Sequence, residues 1–196
     1  MRLFVALDID DAIRERIARF IDEARGFAPR ARWVRPESLH VTLKFIGERP
    51  EKDLESIRKA LKSTRCGAIE LNIRDYGFVP GPKAPRLFWA GIQAGSNLTS
   101  LAAAVDKELA ALGMPNEEHA FSPHLTLARA GGSRSSKRPG QSGSKDGLQT
   151  LREKLATLRL PEFGTMVARE FFLYQSELSQ GGSKYTKLAP FPLTGV

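Results

Sequence analysis

Two copies of one short motif carry the residues of this sequence that could do chemistry. The stretches His40-Val41-Thr42-Leu43 and His124-Leu125-Thr126-Leu127 share the pattern His-x-Thr-Leu, and two of the three histidines of the chain lie in them. Both copies lie in apolar runs of the kind that favours β-strands. Because side chains alternate along a strand, the histidine and threonine of each copy share one face. Each strand is therefore expected to present an imidazole and a hydroxyl to the same side.

These side chains suit a reaction that moves protons around a phosphate. An imidazole titrates near neutral pH, so one histidine can accept a proton while a second donates one. The hydroxyls of Thr42 and Thr126 are donors that suit non-bridging phosphate oxygens. The sequence has no P-loop and no serine or cysteine in a recognisable nucleophile setting. The pattern favours metal-free phosphodiester cleavage by water or a neighbouring hydroxyl; for each histidine taken alone, a hydrogen-bonded polar group on a half-buried strand is the alternative.

The third histidine, His119, lies in a polar run and lacks a threonine two positions later. We expect it to be a surface residue. The alternative is a metal site that it would form with His40 and His124, since zinc takes three or four ligands of this type. The close ligand spacing of such sites is not present, so the sequence predicts neither a metal nor another cofactor.

The spacing of the two motifs indicates an internal duplication. His40 and His124 are 84 positions apart, and the same offset aligns Leu3-Phe4 with Leu87-Phe88. A duplication of this kind usually gives two similar lobes related by approximate two-fold symmetry. We therefore predict an α/β (α+β) fold with two pseudo-symmetric lobes, each of sheet and helix, and with the two imidazoles facing each other across a central cleft.

Periodicity and capping residues predict the elements that position the motifs. Helices are predicted over 11–25, 51–63, 96–112 and 148–158. Besides the second motif, strands are predicted over 3–7, 32–34, 39–45, 69–74, 87–90, 167–173 and, as an edge strand, 185–191. The segment 130–147 is rich in Gly, Ser, Lys and Arg and is predicted to be a flexible insertion.

Length and charge indicate the class of partner. We expect residues 1–196 to form a single bilobal domain, and the formal net charge of +8 favours a polyanion, nucleic acid first. A lone cysteine, Cys66, suggests a reducing compartment, and no secretory signal or transmembrane stretch is evident. The chain is thus expected to be a cytoplasmic protein that binds nucleic acid and no membrane, and we expect it to be a monomer.

The motifs and their flanks resemble a known family. The paired His-x-Thr-Leu stretches resemble the signatures of the two-histidine phosphoesterase superfamily. Within it, four flanking stretches resemble the RNA 2′,3′-cyclic phosphodiesterases, also called 2′-5′ RNA ligases: Arg32-Trp33-Val34, Phe45-x-Gly47, Phe121-Ser122-Pro123 and Leu127-Ala128-Arg129. The likeness extends from Leu3 to the region of Tyr185. The insertion after Arg129 departs from the pattern expected of the family.

The resemblance implies a V-shaped cleft between the lobes and an activity. The reaction would open a terminal 2′,3′-cyclic phosphate of RNA to leave a 2′-phosphate, with 2′-5′ ligation as the reverse reaction. It implies that one histidine activates water and the other protonates the departing 3′ oxygen; we assign His124 as the proton acceptor and His40 as the proton donor. Thr42 and Thr126 would hold the phosphate oxygens.

Phe45 and Arg129 occupy equivalent places, each five positions after its histidine. In the family such positions lie beside the nucleotide, and a base held between an aromatic ring and a guanidinium plane is a sound arrangement for single-stranded RNA. Strict alternation would turn both side chains away from the cleft, so these roles require a bend or bulge in each strand. Core packing of Phe45 and a surface ion pair of Arg129 are the alternatives.

Two other functions stay open at this point. One is an enzyme that acts on a small cyclic nucleotide, and the other is an RNA-binding module without turnover. The two tryptophans, Trp33 and Trp89, could stack on a base, although packing in the core is the commoner use of this side chain.

Overall fold

The computed structural model describes residues 1–80, 85–131, 147–179 and 182–195. The described chain forms four α-helices and nine strands. The helices are α1 (Asp11–Arg25), α2 (Leu54–Ser63), α3 (Ser96–Ala110) and α4 (Gly147–Leu155). The strands are β1 (Arg2–Asp8), β2 (Arg32–Trp33), β3 (His40–Glu48), β4 (Ile69–Val79), β5 (Leu87–Ala94), β6 (His124–Arg129), β7 (Glu162–Ala168), β8 (Glu170–Ser179) and β9 (Gly182–Pro192).

The strands form one antiparallel sheet with a symmetric order. The order is β7-β4-β5-β6-β3-β1-β8-β9, and the short β2 pairs with β6. The two motif strands, β3 and β6, lie at its centre, and β5 and β1 flank them on either side. The predicted two-fold arrangement is therefore present, and its axis passes between the two motifs.

The two lobes do not correspond to the two halves of the chain, because the halves exchange elements. Strand β4 of the first half pairs with β5 of the second, and β8 of the second half pairs with β1 of the first. The helices cross in the same way: Phe20 of α1 packs on Phe88 of β5 and Phe163 of β7, whereas Asp106 of α3 bonds to Lys44 of β3. One continuous apolar core runs through both lobes.

The register corrects the predicted alignment of the first strands of the two halves by one residue. Phe4 lies opposite Phe45, while Leu87, and not Phe88, lies opposite Arg129. The equivalent of Phe4 is therefore Leu87. A strand alternates its faces at every residue, so this slip decides that Phe88 is buried in the core under the helices whereas Leu87 lines the cleft.

Three other predictions need comment. The predicted strand 167–173 is divided at Arg169, because β7 pairs with β4 in one lobe and β8 with β1 in the other. Helix α3 begins at Ser96, as predicted, with Gly95 as its N-cap, and ends at Ala110, two residues before the predicted end. The insertion predicted over 130–147 lies outside the described residues apart from its first two positions and Gly147, the first residue of α4.

The last predicted strand is present as β9, which pairs with β8 at one edge of the sheet. Its two prolines, Pro190 and Pro192, are tolerated because an edge strand has one side without ladder hydrogen bonds. Among the described residues, no helix is long and apolar enough to cross a membrane.

Candidate active site

The two motifs meet at the centre of the sheet. Strands β3 and β6 run antiparallel, with Val41 opposite Leu125. This register places His40 beside Thr126 and Thr42 beside His124. Side chains in directly opposed positions lie roughly 5 Å apart at their Cβ atoms, so the two imidazoles and two hydroxyls form one compact group. Val41 and Leu125 point the other way and are fully buried.

Each imidazole is oriented by the backbone two residues before it. The Nδ1 atom of His40 lies 2.8 Å from the carbonyl oxygen of Ser38, and that of His124 lies 2.8 Å from the carbonyl oxygen of Ser122. A carbonyl oxygen can only accept, so in both rings Nδ1 carries the proton and donates it. This leaves Nε2 as the atom that can take up or release a proton in each ring. The two halves thus present the same tautomer to the cleft.

A bulge follows each motif and brings a fifth and a sixth side chain to the cleft. In β3 the pairing with β1 skips Leu43, and in β6 the pairing with β5 skips Leu127. At both places two successive residues are therefore turned to the buried side, and the next residue, Phe45 or Arg129, is exposed. The bend or bulge that the predicted roles of Phe45 and Arg129 require is therefore present in both strands.

The same bulge removes Lys44 from the cleft, where strict alternation would place it beside Thr42. Its ammonium group is buried under α3, where it bonds to the carboxylate of Asp106 and to the carbonyl oxygen of Pro115, 2.8 Å away. Ala128 occupies the equivalent position in β6 and is also buried. The cleft floor is thus left to the motif side chains.

The six predicted site residues line one cleft of about 520 Å³. They are His40, Thr42, Phe45, His124, Thr126 and Arg129. Besides Ser38, which precedes the first motif strand, the cleft has four further polar side chains that the sequence reasoning did not assign to the site: Arg2, Ser176, Ser183 and Tyr185. They come from β1, β8 and β9, and no local motif marks them. The strand pairing alone brings them to the motifs.

The two histidines differ in their surroundings. His40 packs against three aromatic rings, with its ring centre 4.9 Å from Phe4, 5.1 Å from Tyr185 and 6.2 Å from Tyr174. Burial by this cluster lowers the pKa of His40, and the hydrogen bond with Ser38 and the charge of Asp8 oppose the shift only in part. The neutral imidazole is therefore favoured in the free cleft.

A second, smaller cavity of about 390 Å³ lies on the other side of His40 and is lined partly by Asp8 and Lys187. Asp8 bonds to Lys187 and to Arg14, whose guanidinium lies 2.7 Å away. Burial alone would raise the pKa of Asp8, but these hydrogen bonds outweigh it and the pKa is lowered. A carboxylate thus stays ionised close to the more buried of the two imidazoles.

Of the two tryptophans and His119, only Trp89 lies beside this group. Trp33 donates its indole N–H to the carbonyl oxygen of Ala28 and packs on the edge of Phe88, which is a core role. Trp89 lies next to the site, with its ring centre 6.2 Å from that of His124. His119 is exposed. No group of three or more His, Cys, Asp or Glu side chains in the described part of the chain could hold a metal ion.

The chain is similar to a family of phosphoesterases over nearly its whole length. The model of the family described as LigT-like phosphoesterase matches residues 7–89 and 92–185. The RNA 2′,3′-cyclic phosphodiesterase of Methanothermobacter thermautotrophicus is 31% identical over 195 residues, which cover 98% of this chain and 99% of the relative. The protein of that name from Archaeoglobus fulgidus is 33% identical over 191 residues, 97% of this chain and 99% of the relative.

Solved structures give the same result. The crystal structure of E. coli LigT complexed with 3′-AMP superposes with a TM-score of 0.76 at 28% sequence identity, over 98% of both chains. A crystal structure described as a phosphoesterase gives a TM-score of 0.76 at 27% identity, again over 98% of both. The predicted fold and the resemblance carried by the paired His-x-Thr motifs are both confirmed. The chain belongs to the LigT-like phosphoesterase family.

Proposed function

We propose that this protein hydrolyses the 2′,3′-cyclic phosphate at the end of an RNA and leaves a 2′-phosphomonoester. The observation that carries the proposal is that the antiparallel register of β3 and β6 brings His40 and His124 into one cleft. In each ring, Nδ1 is held by a backbone carbonyl oxygen. The relatives named RNA 2′,3′-cyclic phosphodiesterase support the substrate class. The E. coli protein of the same fold forms a complex with 3′-AMP, a nucleotide with a phosphate on its ribose.

In the proposed reaction the two histidines act on opposite sides of the phosphorus. Nε2 of His124 takes a proton from water as the water oxygen bonds to phosphorus. The bond from phosphorus to the 3′ oxygen breaks, and Nε2 of His40 gives its proton to that oxygen. The products are a 3′-hydroxyl and a 2′-phosphate, and solvent returns each imidazole to its starting state. With a 5′-hydroxyl in place of water, the same steps would form a 2′-5′ linkage.

The substrate itself would prepare His40 for the donor role. Burial favours the neutral ring in the free protein, but an anionic phosphodiester beside it stabilises the imidazolium. Proton uptake at His40 would then accompany binding. A ring buried among aromatic side chains is also a stronger acid once it is charged, because desolvation favours release of the proton.

The other four residues would hold the substrate. The hydroxyls of Thr42 and Thr126 lie beside the imidazoles of the opposite motif and would donate to the non-bridging oxygens, where negative charge increases in the transition state. Phe45 and Arg129 leave their strands at equivalent positions, and their ring and guanidinium could hold the terminal base between them.

Replacing either histidine tests the mechanism. General acid and base groups typically contribute about 10² to 10⁴ each, so His40→Ala and His124→Ala should each lower kcat/KM at least about 10²-fold on an oligonucleotide ending in a 2′,3′-cyclic phosphate. His119→Ala is the matched control, because His119 is exposed and outside the cleft. Full activity of both cleft variants would refute the mechanism, and loss of wild-type activity in EDTA would point to a metal.

A substrate with an activated leaving group tests the assignment of roles. A p-nitrophenolate needs no protonation to depart, so a variant that lacks only the proton donor is less impaired on a p-nitrophenyl phosphodiester than on the cyclic ribose phosphate. We expect this partial recovery for His40→Ala and not for His124→Ala. The opposite pattern would exchange the two roles. Product analysis completes the test, since a 3′-phosphate would mean that the other ester bond is broken.

A further inference from the structure

A second groove lies on the helical side of the molecule, between α2 and the edge strand β9. Its volume is about 990 Å³, larger than the catalytic cleft of about 520 Å³. One wall is the exposed side of α2 and the two residues that follow it, and the other is the stretch 188–192 of β9. No residue of the proposed catalytic group lines it.

The charge on the α2 wall is strongly positive. Arg58, Lys59, Lys62 and Arg65 all line the groove, and the acidic residue among its lining, Glu55, lies 3.9 Å from Arg58. Within the described chain, Lys59, Lys62 and Arg65 have no carboxylate within ion-pair distance. Arg65 donates to the carbonyl oxygen of Lys62, but that contact leaves its charge unneutralised. Three cations without a carboxylate partner on one wall favour a ligand that carries several negative charges.

Two polar atoms in the same lining also lack partners. Thr64 is 8% exposed and its Oγ1 is buried, yet no hydrogen-bond partner for this atom lies among the described residues. The Nε of Arg58 is buried and without a partner in the same sense, although its Nη2 donates to the carbonyl oxygen of Leu188. Buried polar groups nearly always have a partner, and phosphate oxygens or ordered water would supply it here.

Strand β9 connects this groove to the catalytic cleft. Ser183 and Tyr185 line the cleft, and the stretch 188–192 lines the groove. At a rise of about 3.3 Å per residue, the three steps from Tyr185 to Leu188 correspond to roughly 10 Å. Because β9 is the last strand of the sheet order, a chain that leaves the cleft can pass around this edge to reach α2.

We propose that the α2–β9 groove binds the sugar-phosphate backbone of the RNA on the 5′ side of its cyclic end. The inference rests on the proposed function: a 2′,3′-cyclic phosphate can only terminate the 3′ end, so the rest of the RNA must leave the cleft in the 5′ direction. The groove offers cations and hydrogen-bond donors, which contact phosphates and carry little base specificity. It therefore raises the affinity for a chain of several nucleotides and leaves a mononucleotide unaffected.

The test compares two substrates and two variants of equal charge. The groove variant carries Lys59→Gln, Lys62→Gln and Arg65→Gln. The control variant carries Lys107→Gln, Lys154→Gln and Arg159→Gln, three exposed cations outside the groove. Michaelis constants are measured for a 2′,3′-cyclic mononucleotide and for a ten-nucleotide RNA with the same cyclic end, at several salt concentrations.

We expect the groove variant to raise the KM of the long RNA about five-fold or more at low salt. Its KM for the cyclic mononucleotide should be unchanged. For the long RNA, the slope of log KM against log salt concentration should be smaller by about two, since three lost phosphate contacts on a single strand contribute roughly 0.7 each. The control variant should shift the KM of the long RNA less than about two-fold.

Three results would overturn the proposal. In the first, both variants weaken the long RNA equally, which would mean a general effect of net charge. In the second, the wild type has the same KM for the mononucleotide and the ten-nucleotide RNA. In the third, the groove variant retains RNA affinity and loses binding to phosphatidylserine vesicles, which would assign the groove to a membrane surface.

Failure of the proposed function would be seen separately. A wild type that hydrolyses neither substrate refutes the phosphodiesterase activity but not the groove. The groove is then tested by fluorescence anisotropy with the same ten-nucleotide RNA ending in a 3′-phosphate. In that assay a weaker Kd for the groove variant than for the control variant supports the proposal, and equal Kd values refute it.

Discussion

At the scale of single residues, the two histidines share a backbone setting and differ in their environment. Both donate Nδ1–H to the carbonyl oxygen two residues before them. Only His40 lies against the aromatic cluster of Phe4, Tyr174 and Tyr185. A duplicated motif thus gives two rings of the same orientation, and packing around one of them, His40, lowers the pKa of that ring. Two imidazoles in different surroundings suit a reaction that needs one proton acceptor and one proton donor.

The depressed pKa of His40 predicts how stability changes with pH. In the folded protein the pKa lies below the 6.5 of an unperturbed histidine, so between the two values the unfolded chain binds more protons. The free energy of unfolding should therefore rise with pH across this interval and fall as the solution is made more acidic than pH 6.5. Each pKa unit of difference corresponds to about 1.4 kcal/mol.

Urea unfolding between pH 5 and pH 7.5 measures this effect. In His40→Gln the contribution should vanish, so the variant should lose less stability on acidification than the wild type. His119→Gln, at an exposed position, should retain the wild-type pH dependence. Identical slopes for wild type and His40→Gln would contradict the assignment of the effect to His40.

At the scale of elements, the two bulges define the site as much as the motifs do. In each of the stretches 40–45 and 124–129, the first, third and sixth residues face the cleft. The bulge leaves the fourth and fifth residues buried in succession, after the buried second residue. In β3 the fifth residue is Lys44, whose side chain is 2% exposed while the side chain of its partner, Asp106, is 23% exposed. Because water can reach the aspartate but hardly the lysine, the charge of Lys44 depends more on the ion pair for its stabilisation than the charge of Asp106 does.

This asymmetry predicts that Asp106→Ala is more destabilising than Lys44→Met. The aspartate variant leaves the buried ammonium with only the half-exposed carboxylate of Glu117, 4.0 Å away, and should cost about 3 kcal/mol in the free energy of unfolding. The methionine variant fills the space of the lysine stem, and the remaining carboxylate can be hydrated, so its cost should be smaller. Asp22→Ala, which removes an exposed ion pair with Arg25, should cost less than about 1 kcal/mol.

Chemical denaturation of the three variants gives these differences directly. A larger loss for Lys44→Met than for Asp106→Ala would show that the carboxylate, and not the ammonium, is the buried partner. A cost for Asp22→Ala as large as that for Asp106→Ala would show that burial is not what distinguishes the two pairs. Catalytic rates measured alongside should change little, because Lys44 points away from the cleft.

The sequence predicts elements whose signal is local and misses contacts that depend on strand pairing. Periodicity predicts the helices and the two motif strands. The bulges are predicted only through the proposed roles of Phe45 and Arg129, because these side chains reach the cleft only if strict alternation is interrupted. The slip between Leu3-Phe4 and Leu87-Phe88 is not visible in the sequence, because the bulges change the register between strands. The sequence predicts Tyr185 on an edge strand but not in the cleft. Its place in the cleft results from the pairing of β9 with β8 and of β8 with β1, which no local pattern indicates.

At the scale of the whole molecule, the duplication is folded through an exchange of elements. Strand β4 of the first half completes the lobe of the second, and β8 completes the lobe of the first. Helix α1 packs against β7, and α3 against β3, in the same crossed manner. The floor of the cleft is the seam between the lobes, so the geometry of the two histidines depends on both halves at once.

This exchange predicts that the described lobes unfold together and not one after the other. Each lobe has a sheet whose strands come from both halves of the chain, and one apolar core runs through both lobes. Loss of one lobe would therefore expose the strands and helix faces of the other, which makes a half-folded state costly. Both tryptophans, Trp33 and Trp89, lie in the lobe of Phe88, so fluorescence follows that lobe. Near-ultraviolet dichroism also includes Tyr174 and Tyr185, which pack on Phe4 in the other lobe.

The measurement is a urea titration that follows tryptophan fluorescence, near-ultraviolet circular dichroism and far-ultraviolet circular dichroism in parallel. We expect the three transitions to coincide, with a single midpoint that shifts as a whole in Asp106→Ala. A Trp89→Phe variant serves as the control, because the fluorescence change then reports on Trp33 alone and should keep the same midpoint as the two dichroism signals. Separate midpoints for fluorescence and dichroism would mean that the lobes are independent units, and that the apolar core and the β3–β6 ladder pair of Val41 and Leu125 do not couple them.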